Sequence, residues 1–142
     1  MSAATQLNNT LAVPIEEAAQ APDGAAWAYA GVAGGIVSST AAVTMKAAAT
    51  VTRQGATIGL RNYLTGMQIY TDTLSVATEI TVVDAAGPTV VWRGKLQTTN
   101  QPQSILFPNG AVKSSPNAAL QVQLGTSATG GVYVSAQGYT GA

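Results

Sequence analysis

The stretch that decides the fold is residues 120–137, LQVQLGTSATGGVYVSAQ. Apolar residues take every second position in both of its halves: Leu120, Val122 and Leu124, then Val132, Val134 and Ala136. Alternation with period two is typical of a strand that buries one face and exposes the other. Gly130 and Gly131 precede the second run and supply a turn signal. This stretch therefore predicts two β-strands.

Strand-like patterns of the same kind extend upstream to about residue 41. Apolar and polar residues alternate over 43–52, and further short runs rich in β-branched or aromatic residues occupy 57–63, 67–71, 79–83, 89–93 and 103–107. Turn clusters at 84–88, 108–110 and 114–117 suit antiparallel connections. Seven or eight short strands with no helical period between them predict an all-β fold, an antiparallel β-sandwich or a jelly roll.

Residues 1–40 differ from the rest of the chain. They are rich in Ala, Gly and Ser and show no sustained period, although 14–20 is compatible with a short helix that begins at Pro14. We therefore expect an N-terminal arm over 1–40, extended or with a short helix, and a β-sandwich body over 41–142. Trp27 and Tyr29 are large aromatic residues on this arm, and they either anchor it in a neighbouring molecule or fold back onto its own body.

The composition excludes several classes of function. The 142 residues carry 6 Lys+Arg and 6 Asp+Glu, for a net charge of zero, and only 8% are charged, against roughly 25% in ordinary globular domains. Such a surface is poorly protected against association, which favours a chain packed against other chains. The absence of His and Cys excludes zinc fingers and thiolate or imidazole catalysis. Six dispersed cations predict no nucleic-acid binding.

The remaining candidate sites are weak in the sequence. The apolar run at 25–37 is too short to span a bilayer, so we expect no membrane segment. Asp72 and Glu79 are the carboxylates that a glycosidase would need to bring together, but a solvated loop and a solvated strand position are the expected roles. No calcium-loop pattern occurs, and we expect neither a metal nor a cofactor. A face rich in Thr, Gln, Asn and Tyr leaves carbohydrate binding open as an alternative.

Four segments together resemble a known class of protein. Residues 60–69 (LRNYLTGMQI), 77–79 (ATE) and 90–94 (VVWRG), followed by 131–140 (GVYVSAQGYT), are similar to a module of tailed-bacteriophage structural proteins. The similarity covers about residues 41–142, contains no catalytic signature, and does not extend to residues 1–40.

This resemblance implies a role in the virion. Modules of this kind include capsid decoration (cement) proteins and parts of fibres, and many are trimeric. The resemblance therefore implies a non-enzymatic capsid decoration protein on the outer surface of the head, with the major capsid protein and sister copies in a homotrimer as partners. The alternative is a tail-associated or fibre-head module that binds a host surface glycan.

Overall fold

A computed structural model describes residues 24–30, 37 and 39–142 of the chain. Within these residues it contains strands and turns but no helix. The strands are β1 (Ala25–Ala30), β2 (Val43–Lys46), β3 (Ala49–Arg53), β4 (Ala56–Thr71), β5 (Thr78–Asp84), β6 (Thr89–Leu96), β7 (Gln103–Leu106), β8 (Val112–Lys113), β9 (Leu120–Leu124) and β10 (Val132–Gly141). The prediction of an all-β fold is confirmed.

The strands form two antiparallel sheets. The first has six strands in the order β1-β10-β4-β3, and β7 and β8 also pair with β4. The second has four strands in the order β2-β9-β5-β6. Residues 120–137 predicted two strands, which are β9 and β10. Each is an inner strand of its sheet, β9 in the second and β10 in the first.

The long strand β4 organises the first sheet. It pairs with β3 near its start, with β8 and β7 further along, and with β10 over residues 61–71. Buried and accessible positions alternate along most of its 16 residues. The two short strands predicted at 57–63 and 67–71 are therefore parts of one continuous strand.

One hydrophobic core draws on both sheets. From the first sheet it takes Leu64, Met67, Ile69, Val132 and Val134, and from the second Ile80, Val82, Leu120, Val122 and Leu124. All ten side chains are almost fully buried. At about 1.5–3 kcal/mol for each large apolar side chain, this burial is the main source of stability in a chain without disulfides.

A polar network lies inside this core at Asn62 on β4. Its Nδ2 donates hydrogen bonds to the carbonyl oxygens of Ala47, at 3.0 Å, and of Ala118, at 2.9 Å. Its Oδ1 accepts a hydrogen bond from the hydroxyl of Thr140, at 3.1 Å. Ala47 follows β2 and Ala118 precedes β9, so this single amide connects the first sheet to segments that flank the second.

The single strand expected over 43–52 is wrong, because the chain divides at Ala47 and Ala48. The residues before this break form β2 in the second sheet, and those after it form β3 in the first sheet. Alternation alone does not show such a change of sheet, since Ala47 and Ala48 fit either face.

The predicted arm over 1–40 lies largely outside the described residues, as does its candidate helix at 14–20. Residues 25–30 are described, and they form β1, which pairs with β10 at the edge of the first sheet from Ala25 opposite Thr140 to Ala30 opposite Ser135. This part of the predicted arm is a component of the folded body, and a boundary at residue 40 does not separate it from the other strands.

Candidate functional site

One face of the first sheet carries four of the five tyrosines of the chain. Tyr70 and Tyr133 are paired across β4 and β10, and Tyr63 and Tyr139 are paired across the same two strands further along. Between these pairs the register places Gln68 beside Ser135 and Ser104. We call this surface the tyrosine face: Tyr63, Gln68, Tyr70, Ser104, Tyr133, Ser135, Gln137 and Tyr139.

The two tyrosine pairs differ in geometry. The rings of Tyr63 and Tyr139 are stacked, with centroids 4.6 Å apart and an interplanar angle of 8°. The rings of Tyr70 and Tyr133 are tilted at 43°, with centroids 6.0 Å apart. Tyr139 lies six positions after Tyr133, which corresponds to about 20 Å along a strand. The face therefore has two ends, a closed stacked pair and an open tilted pair.

Hydrogen bonds hold all four tyrosine hydroxyls. The hydroxyl of Tyr63 donates to the carbonyl oxygen of Ala142 at 2.7 Å, and that of Tyr139 donates to Asn109 Oδ1 at 2.6 Å. At the other end, Asn100 Nδ2 donates to the Tyr70 hydroxyl at 2.8 Å. The Tyr133 hydroxyl donates to Asp72 Oδ2 at 3.1 Å. The rings are thus oriented before any ligand arrives.

A glycine makes room for the tilted pair. A Cβ at Gly131 would lie 2.5 Å from the Tyr133 hydroxyl oxygen and 2.7 Å from Asp72 Oδ2, closer than real Cβ contacts permit. The backbone N–H of Gly131 donates to the same Asp72 oxygen at 3.2 Å. The glycine that signals a turn in the sequence therefore also positions Tyr133 and Asp72.

A groove of about 310 Å³ opens beside the tilted pair. Its lining comes from β4, β7 and β10 with the segment before β7: Gln68, Ile69, Tyr70, Pro102, Gln103, Ser104, Tyr133 and Ser135. None of these eight residues is charged. Its chemistry is therefore that of aromatic rings, amides and hydroxyls.

The two carboxylates considered for catalysis have separate partners. Asp72 binds Tyr133 and Gly131 at the first sheet, as described above. Glu79 lies on β5 in the second sheet, where its Oε1 is 2.6 Å from Arg93 Nη1 in an exposed ion pair. The structure gives each carboxylate a structural partner and does not join them across one cleft.

The two arm aromatics lie in β1 and pack against the body. Trp27 is buried in the core cluster, and Tyr29 packs against it with part of its side chain accessible. Burial raises the pKa of the Tyr29 hydroxyl above its ordinary value. Trp27 and Tyr29 therefore fold back onto the body of their own chain, which is one of the two arrangements that the sequence left open.

Most of the tyrosine face was not apparent from the sequence. The alternation of Val132 and Val134 places Tyr133 on the outward face of its strand, but nothing in the sequence groups it with Tyr63, Tyr70 and Tyr139. Each lies at an outward position of an alternating strand, which is a detectable signal. Their convergence depends on the pairing of β4 with β10, and only the register shows it.

Two kinds of feature are absent from the described part of the chain. It has no group of three or more acidic, histidine or cysteine side chains arranged to hold a metal ion. It also has no helix long and apolar enough to cross a membrane.

The chain was compared with family models, curated proteins and solved structures, and none of them matches.

Proposed function

We propose that this chain is a structural protein of a tailed-phage virion, a capsid decoration (cement) protein that bridges neighbouring capsid subunits on the outer surface of the head. The resemblance noted in the sequence supports this role. Its segments fall on β4 and β10, the inner strands of the first sheet, and on β5 and β6, an inner and an edge strand of the second sheet. We also infer that the two sheets pack as a β-sandwich, since their apolar faces share one core.

The observation that carries the proposal is an exposed surface of aromatic and neutral polar side chains, the tyrosine face, on a chain of zero net charge. The exposed Lys113 of β8 pairs with Tyr63 and adds one cation at its stacked end. A cement protein adds cohesion by burying surface, and it needs no catalytic group. Each 1,000 Å² of apolar surface buried contributes on the order of 25 kcal/mol before the costs of association. Many copies on one particle then act together.

We place the capsid contact at the stacked end of the tyrosine face. Leu106 on β7 lies opposite Gly66 of β4 and is the most exposed large apolar residue of the described chain, at 81%. Leu106 lies on the side of Ser104 that is toward the stacked end, and it supplies apolar area that the isolated chain leaves in water. A contact with the major capsid protein or with a sister copy in a homotrimer would bury it.

The residues before β1 supply the proposed cross-link. Trp27 holds β1 in the sheet, so we assign the cross-link to residues 1–23, which lie outside the described residues; a segment of that length spans at most about 80 Å when fully extended. An extended segment of this kind can add a strand to an exposed sheet edge of another subunit.

A binding experiment with head particles that lack this protein tests the proposal. We expect the full chain to bind them in many copies and to raise their resistance to heat, and deletion of residues 1–23 to weaken binding. Tyr70→Ala, at the other end of the face, is the matched control and should bind as the unaltered chain does. Absence of binding by the full chain would contradict the decoration role.

The second candidate is a tail-associated or fibre-head module that binds a host surface glycan. The groove beside Tyr70 and Tyr133 favours it, because an uncharged, mainly apolar lining with a few amide and hydroxyl groups suits a sugar. Loss of this protein would then leave the heads stable and abolish adsorption to the host, whereas loss of a cement protein would make the heads fragile.

A further inference from the structure

We propose that the groove between Tyr70 and Tyr133 binds a neutral saccharide. The inference concerns the isolated chain and holds for a head or a tail location alike.

The shape of the groove suits a small ligand. Its volume of about 310 Å³ is at the lower end of the range for small-molecule sites, roughly 300–1,000 Å³. Tyr70 is 47% exposed, so its ring offers a large apolar surface to the solvent. An exposed aromatic ring next to a concave surface is the arrangement against which the C–H face of a pyranose packs.

The polar lining matches the rim of a sugar ring. Sugar hydroxyls both donate and accept hydrogen bonds, and so do the amide of Gln68 and the hydroxyls of Ser104 and Ser135. The register sets Gln68 between the two serines, which places three such groups in one row across the sheet.

The charges around the groove determine that the ligand is neutral. An anionic sugar or a nucleic-acid backbone would need Lys or Arg in the lining, and the eight lining residues include neither. Asp72 is the carboxylate that contacts a lining residue of the groove, and it accepts hydrogen bonds from the Tyr133 hydroxyl and the Gly131 N–H. A cationic ligand would therefore meet a carboxylate that is already engaged.

The site is largely formed in advance. Asn100 and Asp72 hold the two tyrosine hydroxyls, and the lack of a Cβ at Gly131 leaves the space in which Tyr133 and Asp72 meet. Rings that are already oriented lose less conformational freedom when a ligand binds.

Titration of the full ¹⁵N-labelled chain with methyl glycosides of glucose, galactose, mannose and N-acetylglucosamine, observed by NMR, tests this inference. The groove is too small to require a long oligosaccharide, so single rings should bind weakly. We expect at least one glycoside to produce saturable shifts of the amides of Gln68, Tyr70, Ser104, Tyr133 and Ser135. Saturable shifts confined to other surfaces, or no saturable shift with any of the four, would overturn the proposal.

Two variants connect the binding to the tyrosines. Tyr70→Ala alters an exposed ring and should raise the dissociation constant about tenfold or more, because central aromatic contacts dominate binding. Tyr63→Ala removes a ring from the stacked end of the same face and should change it less than about twofold. Equal effects of both variants, or none from Tyr70→Ala, would contradict the proposed site. The assay contains no capsid, so its outcome is independent of the decoration role. The chain can fail to bind a saccharide and still bind capsids, and it can bind a saccharide and fail to bind capsids.

Discussion

The indole of Trp27 lies directly over Gly138, its register partner on the neighbouring strand β10. A Cβ at position 138 would be 2.6 Å from Cζ2 of the indole and would also collide with the carbonyl oxygen of Tyr63. The glycine thus creates the recess that holds Trp27. This relationship explains why an alanine-rich edge strand joins the body.

Trp27→Ala should destabilise the fold by about 3–5 kcal/mol, the usual cost of deleting a buried large aromatic side chain. Trp27 Nε1 is buried and has no hydrogen-bond partner among the described residues. Trp27→Phe should therefore cost much less, since it retains a ring and removes the unpaired N–H group. Urea denaturation followed by circular dichroism measures both. No loss from Trp27→Ala would show that β1 contributes little to the body, and an equally large loss from Trp27→Phe would contradict the argument from the retained ring and the unpaired N–H group.

Asn62→Ala should lower the free energy of unfolding by about 3 kcal/mol or more. The substitution leaves two carbonyl oxygens and the Thr140 hydroxyl without their buried partner, and each such group costs about 1–3 kcal/mol. Gln121→Ala is the control, because its amide makes one exposed hydrogen bond of 3.3 Å to Thr44. Similar denaturation midpoints for the two variants would contradict the structural role of Asn62.

Stability should fall in strong base, partly through Tyr29. Burial raises the pKa of this hydroxyl above its ordinary value of 10.0, so the folded state holds the proton more tightly than the unfolded chain does. The resulting stabilisation is fully present below pH 10 and is lost as the pH rises through the folded-state pKa. Between pH 9 and 11.5 the unaltered chain should therefore lose stability more steeply than Tyr29→Phe. Parallel profiles would contradict the burial of this hydroxyl.

Leu106→Gln should leave the isolated chain as stable as before, within about 0.5 kcal/mol, because the side chain is already in water. It should weaken binding to head particles if Leu106 lies in the proposed contact. Ile58→Gln, an exposed apolar position in the β3–β4 hairpin, is the matched control and should not change binding. Sedimentation of labelled protein with the particles measures both, and unchanged binding by Leu106→Gln would exclude the stacked end as the contact.

The strands best predicted from the sequence are those in which alternation is strict and turn residues follow. β9 and β10 have this pattern, and Asp84 with the residues after it predicted the hairpin between β5 and β6, in which β5 pairs with β6 from Thr78 to Asp84. Strict alternation along β6 would put Trp92 on the same face as Val90. The register shift between Val82 and Val83 prevents this, and Val91 and Trp92 both pack against the core.

β1 and the tyrosine face were not predictable in the same way. Residues 25–30 (AAWAYA) mix alanines with two large aromatic residues. They form a strand because Gly138, near the far end of the chain, leaves space for the indole of Trp27. Tyr63 meets Tyr139 only because β4 and β10 pair with a shift in register between Gln137 and Gly138. Both features depend on contacts between residues that are distant in sequence. A pattern read from neighbouring residues does not show such contacts.

The most direct test of the central claim is cryo-electron microscopy of virions whose genome encodes this chain. The account predicts hundreds of copies of the two-sheet body over the outer surface of the head, with Tyr63 and Tyr139 toward the capsid and the groove at Tyr70 and Tyr133 toward the solvent. Density confined to the tail or to one vertex, in a few copies, would contradict the decoration role.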